Sequence, residues 1–303
     1  MLTSLFYKNS SKPERVGSII GVNMKEVVYF LCLILSIFHI SVKANDIYAG
    51  DCEDYPFLAS LRYNGKHVCS ATIRNKYLAM TTARCIDNKA WIKFSVVFGS
   101  SNASENKTEV KNDKNHPVYA IEKHPKYKYK TGDYDIAVVI FEQITFTECI
   151  KPLKINDRPS RYDTRVLVAG WGVNGINQFQ NNETSNETNV AENFKWTLTQ
   201  LLDVRKCRCA YGRERKIEIN RMYCTEANHP ATCVADDGAP LVIANGIYGI
   251  GIASNMGNCS QPSRPSVFIS VHSYSIKSFL NKMIEKYKPV SKSESLKKDT
   301  KYL

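Results

Sequence analysis

Between residues 57 and 269 the chain is a succession of short apolar runs broken by polar turns, and this pattern constrains its fold more than any other feature. The runs fall at 57–63, 67–73, 77–81, 92–97, 136–141, 165–170, 195–202, 240–243 and 247–252. Each has the length of a strand, and many short strands with no helix between them predict an all-β barrel or sandwich. The period changes only near the end, where Ile276, Phe279, Leu280, Met283, Ile284 and Tyr287 share one helical face, with Ser275 available as N-cap and Pro289 as a stop. One amphipathic helix is therefore expected to close the domain. The Lys- and Ser-rich stretch 288–303 reads as a basic flexible tail.

Met24-Lys25, an apolar run over 27–40 and the small-residue pattern Ser41-Val42-Lys43-Ala44 read as a secretory signal peptide, 24–44. A run of that length falls short of the roughly 20 residues that span a bilayer, so no membrane span is expected. Residues 1–23 read as an upstream extension, with Met24 as the functional start. An exported chain meets an oxidising compartment, where its ten cysteines imply disulfides. Removing Cys32 with the signal leaves nine, so one thiol is left over for a free state or a disulfide-linked dimer. Sequons at Asn102, Asn106, Asn182 and Asn186 lie in polar segments and predict glycosylated surface loops, whereas Asn258 adjoins Cys259.

The formal charge is +12, and residues 1–44 hold five Lys/Arg and two Glu, leaving +9 for the remainder. Such a balance favours acidic partners, sulfated glycans among them. The alternation Lys126-Tyr127-Lys128-Tyr129-Lys130 and the run Arg205, Lys206, Arg208, Arg213, Arg215 and Lys216 are the candidate segments for a polyanion. Nothing in the pattern points to nucleic acid, a metal or a cofactor.

Four landmarks stand in order: Ile47-Tyr48-Ala49-Gly50, Thr81-Thr82-Ala83-Arg84-Cys85, Asp135-Ile136-Ala137-Val138 and Asp236-Asp237-Gly238-Ala239-Pro240-Leu241. Gly170-Trp171-Gly172, Met222-Tyr223-Cys224 and Arg264-Pro265-Ser266-Val267-Phe268 accompany them. Together they resemble the chymotrypsin/trypsin family of serine proteases over residues 47–287. The resemblance implies two six-stranded antiparallel β-barrels with a C-terminal helix, in a domain covering 45–287.

The family's chemistry needs a Ser nucleophile, a His base and an Asp that orients the His. The resemblance puts Asp135 at the Asp position, Arg84 at the His position and Asp237 at the Ser position. A guanidinium stays protonated and cannot take a proton, and a carboxylate is a poor nucleophile toward a peptide carbonyl. His67, His116, His124, His229 and His272 fall elsewhere. The oxyanion hole would use the N–H groups of Ala235 and Asp237, where a carboxylate side chain repels a developing oxyanion. At the primary specificity pocket the matching positions are Ala231 at the base and Ser254, Asn255, Met256 and Ser266 on the walls, with no anchor for Lys or Arg. Arg84 is expected to bridge Asp135 and Asp237 as an ion cluster.

Asp46 precedes Ile47, so a trypsin-like activator has no site there. The resemblance then implies a zymogen-like relay of Ser60, His67 and Asp236. It also implies disulfides Cys69–Cys85 and Cys233–Cys259, and Cys224 with either Cys207 or Cys209; Cys52–Cys149 is the pairing left for the remaining cysteines. The chain looks like a non-catalytic serine protease homologue of insect type without a clip domain. It is expected to be secreted and to bind an active protease or its substrate as cofactor or decoy. A residual serine endopeptidase and a polyanion-binding module are the alternatives.

Overall fold

Every residue of β7 (Ala137–Phe141) is buried, because the strand lies between two cores. Ala137, Val139 and Phe141 enter one cluster and Val138 and Ile140 another, as the two-residue period of a strand requires. Its neighbour β4 (Leu78–Thr81) divides the same way, Ala79 to the first cluster and Leu78 and Met80 to the second. A computed structural model describes residues 48–102, 115–156, 158–172, 193–212, 215–226, 236–243, 248–255 and 265–289.

The first cluster fills a closed antiparallel barrel that runs β2 (Leu58–Tyr63), β3 (Lys66–Asn75), β4, β7, β6 (Asn115–Lys123) and β5 (Phe94–Phe98). A second six-stranded barrel runs β9 (Arg165–Gly170), β10 (Lys195–Leu202), β11 (Met222–Thr225), β14 (Val267–Ser270), β13 (Tyr248–Asn255) and β12 (Pro240–Ile243), closed by the pairing of β12 with β9. Closure leaves neither barrel with a free sheet edge. Two short strands lie outside the rings: β1 (Tyr48–Ala49) against β10, and β8 (Lys154–Ile155) parallel to β13.

The closing helix α3 (Tyr274–Lys286) buries Ile276, Phe279, Leu280 and Met283 in the cluster that also holds Val138 and Ile140. It begins two residues earlier than expected: Ser273, not Ser275, is the N-cap residue, and the Ser275 hydroxyl is instead bonded to His124 Nε2 at 3.1 Å. The expectation of strands without intervening helices also needs correction. Val204–Tyr211 forms α2, started by the Asp203 carboxylate accepting from the Arg205 N–H and ended at Gly212. Its buried residues are Cys207 and Tyr211, four apart on one face.

Among the described residues three disulfides are present: Cys52–Cys149, Cys69–Cys85 and Cys207–Cys224. Of the two candidates for Cys224, the buried Cys207 holds the bridge, while Cys209 is exposed and free. Cys233, Cys259, Asn106, Asn182, Asn186, Ala231, Ala235 and Met256 lie outside the described residues. No helix among the described residues is long and apolar enough to cross a membrane.

Candidate functional site

The segments that carry Arg84, Asp135 and Asp237 converge where the two barrels meet. Arg84 sits in the four-residue helix α1 (Ala83–Ile86), which the Thr82 hydroxyl caps by accepting from the Cys85 N–H. The disulfide from Cys85 to Cys69 pins this turn to β3. Asp135 is fully buried and precedes β7, after Tyr134, whose φ of 54° is left-handed. Tyr134 is held there by His124 stacked at 4.5 Å on its ring and by Arg221 lying 4.4 Å from the ring centroid.

Asp237 rides on a tight turn. Gly238 has φ +90°, and a Cβ there would lie 1.9 Å from the Ser70 carbonyl oxygen, so only glycine fits. Ser70 N–H donates to the Asp237 carbonyl at 3.0 Å, and Gly238 N–H to the Ala253 carbonyl at 2.9 Å, which fixes the turn between β3 and β13.

Arg84 donates its backbone N–H to Asp135 Oδ1 at 2.9 Å, and its Nε lies 3.5 Å from Oδ2 as an ion pair without a hydrogen bond. The expected bridge to Asp237 is one-sided: no direct ion pair joins Arg84 to Asp237 among the described groups, and the guanidinium acts on Asp237 through its field. A second cation stands beside Arg84. Arg215, read from sequence as part of a basic surface run, is buried. Its Nη2 and that of Arg84 lie 2.9 and 3.0 Å from the point where Gly132 would carry a Cβ. Gly132, at φ +63°, is the residue that makes room for both guanidiniums. Sequence reasoning missed this pair, and the glycine three residues before Asp135 is the signal that bears on it.

Charge at this junction is finely opposed. Burial is the main cause that pushes the Asp237 carboxyl up to about 7; Asp135 and Asp236 add to the shift, and Arg84 and Arg215 oppose it. Burial, and then the like charge of Arg84, holds Arg215 below the usual guanidinium range.

Beside this cluster stands a second one. Ser60 Oγ and His67 Nδ1 are 2.8 Å apart, and His67 Nε2 lies 3.1 Å from Asp236 Oδ2. Asp236 Oδ1 accepts from the Ser70 hydroxyl at 2.6 Å and the Trp171 N–H at 3.1 Å. Its carboxylate is thus met by three donors. Ser60 is 1 % exposed and the His67 side chain 4 %, so no substrate carbonyl can reach this hydroxyl. The relay is structural. Of the specificity-pocket positions, Ser266 is fully buried, and the backbone of Ser254 and Asn255 lies in β13. Among the described residues no cluster of His, Cys, Asp or Glu is arranged to hold a metal.

A model of the trypsin domain matches residues 46–277. The chain belongs to the trypsin family. Among its trypsin-family relatives, Hypodermin-A of Hypoderma lineatum is 26 % identical over 222 residues, covering 72 % of this chain and 79 % of that protein. Trypsin 5G1 of Aedes aegypti is 27 % identical over 227 residues, covering 73 % of this chain and 78 % of the relative. The solved structure of mouse neuropsin, a serine protease, superposes with a TM-score of 0.64 at 20 % identity, over 79 % of this chain and 99 % of that one, a likeness of fold.

Proposed function

We propose that this trypsin-family chain is a secreted serine protease homologue that has lost catalysis and works by binding, as cofactor or decoy for an active protease or its substrate. The observation that carries the reading is Arg84 bonded to Asp135 at the position where the family needs a proton acceptor. A guanidinium has no lone pair to offer, and Asp237, at the nucleophile position, supplies a carboxyl where a hydroxyl is required. Loss of either partner costs many orders of magnitude in rate, and loss of both leaves no useful peptidase.

The relay from Ser60 through His67 to Asp236 supports the same reading. With its carboxylate satisfied by His67, Ser70 and Trp171, Asp236 has no call on an N-terminal ammonium, which is the zymogen-like arrangement of the family. Secretion rests on the signal-like segment 24–44 and the disulfides.

Adding purified protein to an active trypsin-like protease and its protein substrate tests the binding role. A cofactor or decoy changes the rate saturably and forms a complex on size-exclusion chromatography. An unchanged rate with no complex across candidate proteases counts against it.

A further inference from the structure

Two open grooves adjoin on either side of the segment 122–125, at the end of β6. One, of about 530 Å³, has Lys89, Lys123 and Trp91 in its wall; the other, of about 630 Å³, has Lys123, Lys126, Lys282, Lys286 and Tyr274. Both are lined by described residues alone, and neither includes Arg84 or Asp237. Five lysines therefore line this pair of grooves, a trough divided by the shared wall 122–125; Lys89 donates to the Cys85 carbonyl at 2.7 Å, and two carboxylates answer two of the others. Asp87 takes Lys123 at 2.5 Å, and Glu122 is bonded to Lys286 and to the Tyr287 hydroxyl. No described acidic group pairs with Lys126 or Lys282, and both are exposed. Burial holds His124, in the floor, below the ordinary imidazole range, so the surplus charge is lysine charge.

We propose that this trough binds a sulfated glycan chain. The surplus of ammonium groups along a groove calls for a ligand with repeated negative charge. All five cations are lysines, point charges that tolerate sulfates at varied angles, whereas planar, bidentate capture of phosphate favours arginine. Trp91 is 50 % exposed and Tyr274 89 %, one in each groove, and each offers a flat apolar face to a sugar ring. Most of the other basic run is engaged or buried, Lys206 being exposed and Arg213 lying outside the described residues. Arg205 is paired with Asp203, Arg208 donates to the Ile217 carbonyl, Lys216 is paired with Glu218 and Arg215 is buried. The inference stands apart from the catalytic reading, since the trough works the same whether or not the junction is inactive.

The test measures the affinity of the full chain for heparin and for desulfated heparin at about 0.15 M salt. Two charge-matched variants are compared, Lys126→Glu with Lys282→Glu in the trough and Lys154→Glu with Lys206→Glu outside it. The trough variant is expected to lose at least about tenfold in affinity with its melting temperature unchanged, and the outside variant less than about twofold. Desulfated heparin is expected to bind weakly to all three proteins. Equal losses in the two variants, equal binding of desulfated heparin, or tighter binding of a single-stranded oligonucleotide would each overturn the proposal.

Discussion

Arg84 holds Asp135 twice, by a backbone N–H at 2.9 Å that any residue at 84 would keep and by a guanidinium Nε at 3.5 Å that only arginine supplies. The two contacts separate geometry from charge. Arg84→Met keeps the first and removes the second, leaving a fully buried carboxylate short of its cation. The Arg84 side chain is about a third exposed, so water makes up part of the loss. We expect a cost of about 1–3 kcal/mol by thermal or chemical denaturation. Arg84→His should lose stability in the same direction and gain no peptidase activity, because Asp237 remains.

Asp237 makes stability depend on pH. Its carboxyl is raised from 3.8 to about 7, so the folded chain keeps a proton that the unfolded chain releases. Between those values the unfolded state binds fewer protons, and the stability of the native state therefore falls as pH rises through the window. Asp237→Asn removes the titration. The variant should match the parent near pH 4 and exceed it at about pH 8, by an amount on the order of a few kcal/mol. Urea denaturation of both proteins at the two pH values checks it, and a constant difference between them would refute the assignment.

His67 joins Ser60 to Asp236 in the closed interior, and its removal takes a partner from Ser60 and leaves Asp236 with the Ser70 and Trp171 donors alone. His67→Ala should cost about 2–3 kcal/mol, whereas Ser60→Ala, which removes one hydroxyl and leaves the His67–Asp236 bond, should cost about 1 kcal/mol. Equal effects of the two substitutions would show that the relay is not centred on the imidazole.

Cys209 is exposed on α2 next to a bridged, buried Cys207. We expect a disulfide-linked dimer on non-reducing gels that Cys209→Ser abolishes without loss of stability. A dimer that survives the substitution would place the intermolecular bond elsewhere.

Short apolar runs between polar turns made most of both barrels legible, because a strand buried on both faces, such as β7, is apolar throughout. β6 was invisible on the same ground: in Asn115–Lys123 only Val118 is buried, so there is no apolar run to see. Three basic residues masked the amphipathic character of α2, whose two buried side chains are a cysteine and a tyrosine. The resemblance to the trypsin family picked out Arg84, Asp135 and Asp237, but not Arg215. Nothing distinguishes Arg215 in sequence from the exposed basic residues around it, and its burial depends on space left by Gly132, distant in the chain. That space turns the expected bridge between two carboxylates into a four-charge cluster.

The central claim is loss of catalysis, and peptide turnover tests it most directly. Purified protein, with and without prior tryptic treatment, is incubated with a diverse library of fluorogenic peptides and with a phosphonate that labels activated serines. We predict neither turnover above a mock preparation nor labelling. Turnover that is abolished by Asp135→Ala would contradict the account.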